Sequence, residues 1–178
     1  SLSPDASPVD AVGVMVPHAG YVYSGRVAGK VFAAVRPTDS YVVISPNHTG
    51  YGSPVALIDE EWETPLGNIR PDGGLASAIT GACPLCRMDR EAHVYEHSVE
   101  VQLPFIKRTS PQGRIVPITL MQIGKKEVEL IASAIAGAVR GSGKKVLIVA
   151  SSDMTHYESR AAASEKDRKA IDRILEMD

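Results

Sequence analysis

Short apolar runs alternate along this chain with stretches of helical spacing, and that alternation confines it to an α/β fold. The clearest runs, residues 12–16, 41–44 and 146–150, read as buried strands. Strands are expected over 11–16, 40–45, 114–120 and 145–151, with shorter ones over 55–58 and 61–64 that pair with each other. Helices are expected over 25–36, capped by Ser24 and stopped by Pro37, and from Pro71 through Ile79. A strongly amphipathic helix over 125–140 carries Val128, Ile131, Ile135 and Val139 on one stripe, and Gly141-Ser-Gly ends it. The segment 95–106 reads as a helix that kinks or restarts at Pro104, and 159–177 as a more polar helix. Together these predict one three-layer α/β/α domain with a mostly parallel central sheet over 11–178. Residues 1–10, SLSPDASPVD, read as a linker or frayed arm.

The same strands point to a site. The first, second and last of them each run into a loop that carries a histidine: PHAGYVYSG with His18, SPNHTG with His48 and SSDMTH with His156. Ligands of open α/β sheets bind outside the carboxyl ends of the strands. Three histidines there, far apart in sequence, point to one shared site. Alone, each has a plainer reading. His18 can be a structural histidine bonded to backbone. Asn47 can line the site and orient an imidazole or a substrate; it also suits, with Gly50, a tight turn, which does not explain His48 between them. Asp153 can cap a turn and leave His156 exposed, or can hold the ring N–H of a metal-bound or catalytic His156. Imidazoles with a carboxylate or thiolate suit zinc, copper or iron, whereas calcium and magnesium want more oxygen ligands.

Two further patterns are weaker. His93-Val-Tyr-Glu96-His97 matches the H-x-x-E-H of inverted zinc metallopeptidases, with Glu100 one turn on. Pro104 shortens the helix such a site needs, so Glu96, His97 and Glu100 read better as lining the pocket of the other histidines. Cys83-Pro-Leu-Cys86 offers a redox pair or half a zinc site, but no other cysteine exists and no helix opens on it, which favours incidental thiols.

Composition excludes some classes. With a net charge of -2 and no Lys/Arg run, a nucleic-acid or membrane-surface partner has no support. No apolar stretch reaches transmembrane length, and the expected compartment is the cytoplasm.

PHAGYVYSG, SPNHTG, EHSVEVQLPF and SSDMTHY, in this order, resemble the Memo family, from about Val12 through Tyr157. The resemblance implies a fold similar to class III extradiol dioxygenases, which open catechol rings with non-haem iron. It implies His18 and His48 as metal ligands, and His156 with Asp153 as the acid/base group. It also implies a third ligand, a cysteine from a later segment, which Cys83 and Cys86 do not match. On this reading the family's N- and C-terminal parts lie outside the sequence. The expected cofactor is a divalent metal, iron or copper ahead of zinc. Three functions follow: a dioxygenase-like metal oxidoreductase acting on a small molecule, a binding module for a phosphorylated or anionic peptide, and, well behind, a zinc hydrolase using His93, Glu96 and His97.

Overall fold

A computed structural model of the chain describes residues 7–176. Its centre is a six-stranded sheet in the order β1-β6-β2-β5-β3-β4. The strands are β1 (Gly13–Val16), β2 (Ser40–Pro46), β3 (Val55–Leu57), β4 (Arg87–Met88), β5 (Arg114–Leu120) and β6 (Val146–Ser151). β1, β6, β2 and β5 run parallel to one another, β3 runs antiparallel to β5, and β4 runs parallel to β3. The helices are α1 (Tyr21–Ala33), α2 (Gly73–Ala82), α3 (Leu103–Thr109), α4 (Lys125–Ser142) and α5 (Arg160–Glu176).

The period of two along each strand divides the core. Tyr41 and Val43 of β2, Ile115 of β5, and Leu147 and Val149 of β6 enter one cluster with Ala28 and Phe32 of α1 and Leu103 and Ile106 of α3. Val42, Val116 and Ile118 point the other way, onto Leu75 and Ile79 of α2 and Ile131 and Ile135 of α4. The sheet is thus covered on both faces, as the three-layer reading expects. Cys83 and Cys86 are buried in the second cluster, and burial pushes the Cys86 thiol up to about 12, so Cys86 is not a reactive thiol at neutral pH.

Several local expectations are corrected. Helix α1 begins at Tyr21, with Gly20 at its N-cap. Ser24 is therefore buried inside the first turns, where its hydroxyl donates back to the Ala19 carbonyl. The helix stops at Ala33 because Val35 pairs instead with Val9. That pairing anchors the end of the segment read as an arm, whose residues 1–6 lie outside the described residues, as does Met177 at the end of the last helix. Residues 61–64 do not pair with β3, since β4 and β5 already occupy both its edges; Trp62 pairs with Ile69. The segment 95–106 is not one helix. Turns run to Val99, a 3-10 turn spans Glu100–Gln102, and α3 starts at Leu103. Pro104 falls in the first turn of α3, where its missing N–H breaks no bond, so it opens a helix and does not kink one.

Among the described residues, no helix is long and apolar enough to cross a membrane. For function, the important consequence is local. β1, β6 and β2 are adjacent and parallel, with Val16 beside Ser151 and Ile44 beside Ala150. The three histidine loops therefore leave the sheet from the same edge.

Candidate metal centre

His18 is buried where the chain leaves β1, with 4% of its surface exposed. Its ring centroid lies 5.3 Å from that of His48 and 5.8 Å from that of His97; His48 and His97 are 5.1 Å apart. Three imidazoles from three segments thus meet at the carboxyl edge of the sheet. His97, read only as lining the site, is a full member of the cluster.

Hydrogen bonds settle which ring nitrogens carry protons. The Ser151 hydroxyl donates to the Ser98 carbonyl (2.6 Å), and Gln102 Nε2 donates to the Ser151 oxygen (2.8 Å). The Gln102 amide is oriented by a second bond from Nε2 to the Pro17 carbonyl (3.0 Å). With its own proton already given away, Ser151 Oγ can only accept from His18 Nδ1, 3.0 Å away. Neutral His18 therefore carries its proton on Nδ1 and keeps a free lone pair on Nε2. Burial, the largest influence, pushes the His18 imidazole down; Asp153 opposes this, and the nearby His48 and His97 reinforce it. His18 is held neutral, the form a metal needs.

Glu96 does for His48 what Ser151 does for His18. Its Oε1 lies 2.9 Å from His48 Nδ1 and 3.5 Å from His97 Nδ1. The same oxygen accepts from the Ser98 N–H (3.0 Å) and hydroxyl (2.7 Å), while Oε2 accepts from the His48 N–H. Burial alone would raise this carboxyl; the bonds from His48 and Ser98 outweigh it and bring it down to about 2. An ionised carboxylate only accepts, so His48 Nδ1 carries a proton and Nε2 is the ring nitrogen turned away from Glu96. Ligand atoms of His48, Glu96 and His97 all lie within 4.8 Å of one another, which makes the three a possible metal-binding triad. The two Glu96 oxygens already accept from four donors, the N–H and ring of His48 and the N–H and hydroxyl of Ser98.

Asp153 joins the loops after β1 and β6. Its Oδ1 accepts from the N–H groups of His18 (2.7 Å) and Ala19 (3.1 Å). Its Oδ2 lies 3.2 Å from Nε2 of the exposed His156 and 3.9 Å from His18 Nε2. Burial pushes the Asp153 carboxyl up, and these bonds bring it below its ordinary value. His18 and Asp153 both shift downward, so their contact is not a salt bridge: the two backbone N–H groups hold Asp153 ionised while His18 stays neutral.

The remaining sequence candidates have other partners. Asn47 shapes its turn: Oδ1 accepts from Thr49 and Gly50, and Nδ2 donates to the Tyr51 carbonyl. The H-x-x-E-H segment is a series of turns, and the helix that would align its two histidines does not form. His93 is buried, with Nε2 on the Ala56 carbonyl and its ring against Trp62, and the exposed Glu100 lines a cleft with both. Ser98, Gln102 and Ser151 were not singled out in the sequence. Nothing in the sequence marks Gln102, whose full burial appears only in the fold.

A family model described as Memo-like protein matches residues 2–178. This chain belongs to the Memo family. A MEMO1 family protein of Methanosarcina barkeri is 48% identical over 168 residues, which are 94% of this chain and 63% of that protein. Another from Methanococcoides burtonii is 46% identical over 171 residues, 95% of this chain and 64% of the relative. A third, from Caldivirga maquilingensis, is 44% identical over 170 residues, with 93% and 60% covered. The chain thus spans less than two thirds of the length of these Memo relatives. The Memo resemblance carried by the four motifs holds over nearly the whole chain.

Proposed function

We propose that this Memo protein is a dioxygenase-like oxidoreductase whose histidine centre holds a divalent redox metal, iron or copper ahead of zinc, and acts on a small molecule. The observation that carries this reading is the meeting of the His18 and His48 rings, each with its Nδ1 engaged by a partner, Ser151 or Glu96, so that Nε2 is the nitrogen left for an ion. Neutral imidazoles backed by acceptors are the donor set that iron and copper take from proteins. The likeness of the family's fold to iron dioxygenases supports a redox ion, although fold alone does not transfer a reaction.

In this role His18 and His48 hold the ion, and Ser151 and Glu96 keep their rings turned to it. The ion, when bound, supplies the electron-transfer chemistry. Asp153 is ionised and receives a hydrogen bond from His156 Nε2 beside His18, so His156, exposed at the mouth, is placed to take a proton from a substrate or return it. We place the protein in the cytoplasm.

The test is metal content by mass spectrometry on protein purified without added metal, with oxygen consumption measured alongside. Iron or copper near one equivalent, lost in His18→Ala and His48→Ala, supports the reading. Absence of metal even after anaerobic Fe(II) loading, together with binding of an anionic phosphopeptide that survives chelator, moves the assignment to a binding module.

A further inference from the structure

We propose that the cleft lined by Trp62 and His93 is a second binding site, separate from the histidine centre, and that it takes the basic side chain of a lysine or arginine residue within a peptide. The inference goes beyond the metal reading and does not depend on it. The segment 93–100 serves two places. Glu96 and His97 join His48 at the centre, whereas His93 and Glu100 line a cleft of about 280 Å³ with Trp62. None of His18, His48, Glu96 and His97 lines this cleft. Its volume falls just below the ~300 Å³ at which drug-sized ligands begin to fit, so it suits a single side chain.

Charge selects the sign of the occupant. Four carboxylates line the cleft, on Glu60, Glu61, Glu63 and Glu100, against the single guanidinium of Arg90, which leaves a formal charge of -3. Arg90 is already engaged by Glu60, at 3.1 Å. Glu61 accepts from Asn68 Nδ2 (2.7 Å) and lies 3.6 Å from Arg70 Nε. The carboxylates of Glu63 and Glu100 have neither a hydrogen bond nor an ion pair among the described residues. A concave surface lined by one sign of charge focuses its field and concentrates the opposite sign. The Trp62 indole adds an aromatic wall for a cation, and Ile58 and Val94 offer apolar surface to a methylene stem.

An acidic rim alone is a solvated surface. Two buried polar atoms without partners make this one a binding site. His93 is 5% exposed, and its Nε2 lies 3.2 Å from the Ala56 carbonyl. Burial, the largest influence, pushes the imidazole down against that bond and the nearby carboxylates, so the ring is neutral. A carbonyl only accepts, so the proton is on Nε2, and Nδ1 is a lone pair that no group meets. Trp62 Nε1, which only donates, is buried and unpartnered as well, and the two rings stand edge to face with centroids 6.2 Å apart. Buried polar atoms left unpaired are rare and costly. One of these wants a donor and the other an acceptor, and the amide of a peptide residue carries both. A free amino acid instead brings a carboxylate, which the four glutamates repel. Trp62 is only half-buried, so a small turn of the indole opens both atoms to a ligand seated against it.

Trp62 is the only tryptophan of the 178-residue chain, so a single indole N–H resonance reports on the cleft. The experiment follows that resonance by proton–nitrogen NMR of the full chain. The probes are N-acetyl-lysine amide and N-acetyl-arginine amide, with N-acetyl-glutamine amide, free lysine and free arginine for comparison. The expected result is a saturable shift with a capped basic residue, weakened by salt, unchanged by chelator and absent with the glutamine. Free lysine and arginine bind more weakly than their capped forms. Replacing both exposed carboxylates, Glu63→Gln with Glu100→Gln, keeps the shape of the cleft and weakens binding about tenfold. No saturable shift with either capped basic residue overturns the proposal, as does equal affinity in the double variant or an equal shift with the glutamine. Free lysine or arginine bound as tightly as the capped forms overturns the peptide as the source of the side chain. A shift abolished by chelator overturns the separation from the metal centre.

Discussion

At the scale of single residues, the centre is set by what stands behind each imidazole. Ser151 is the clearest case, because its hydroxyl has one proton and that proton is committed to Ser98. Long-range nitrogen NMR of metal-free protein near neutral pH is expected to find His18 and His48 protonated on Nδ1. Ser151→Ala is expected to release the His18 preference and to cost about 1–3 kcal/mol in thermal or denaturant melts, since it leaves buried Gln102 and Ser98 groups without a partner. An unchanged His18 tautomer in that variant would refute the network. Glu96→Gln keeps the shape of the side chain but ends its role as a pure acceptor. It is expected to weaken Co(II) binding by about 10–100-fold, read by competition titration. The histidines themselves were legible in the sequence, because each followed an apolar strand. Their partners were not. Ser151 is one serine in a Ser-Ser-Asp run, and what makes it decisive is a bond to Ser98 across 53 positions.

At the scale of elements, the strands were read well and the ends of helices poorly. A buried strand declares itself through composition, and β2, β5 and β6 stand within a residue or so of their expected bounds. Helix starts depend on tertiary partners, as α1 shows: its first turn hangs on the Gly20 carbonyl and needs no side-chain cap. Asp72 is the opposite case. It caps α2 through the Leu75 N–H and also takes the Ser40 hydroxyl and the Lys144 ammonium, tying α2 to the start of β2 and the approach to β6. Burial pushes its carboxyl up, and the bonds from Lys144, Ser40 and Leu75 bring it below the ordinary value. A carboxyl depressed by folding stabilises above its unfolded pKa and loses that contribution as pH falls through its folded value. Stability is therefore expected to decline below about pH 4 in part through Asp72. Asp72→Ala is expected to cost about 2–4 kcal/mol at neutral pH, by leaving the helix start uncapped and the buried Ser40 hydroxyl without its acceptor, and to flatten the acid limb of the stability curve. A neutral-pH melt within about 1 kcal/mol of the parent would contradict this.

At the scale of the whole molecule, the sheet order brings β1, β6 and β2 side by side, so distant loops share one centre. A metal held there would bind only the folded chain. Each addition of Co(II) is expected to raise the melting temperature in proportion to the logarithm of its concentration, by about 2.7 kcal/mol of added stability at a hundred times Kd. Chelator is expected to reverse the rise, and His48→Ala to abolish it; a melting temperature insensitive to metal would argue against a site of any affinity. One contact gives the centre its mechanical character. Gly52, at φ +72°, lies so close to the backbone of Ala92 that a Cβ there would stand 2.7 Å from the Ala92 nitrogen, and the next residue, Ser53, is bonded twice to Asp89. The turn that bears His48 is thereby riveted to the segment that bears Glu96 and His97. These two walls of the centre are thus tied to each other through backbone contact and the bonds from Ser53 to Asp89, before any occupant arrives.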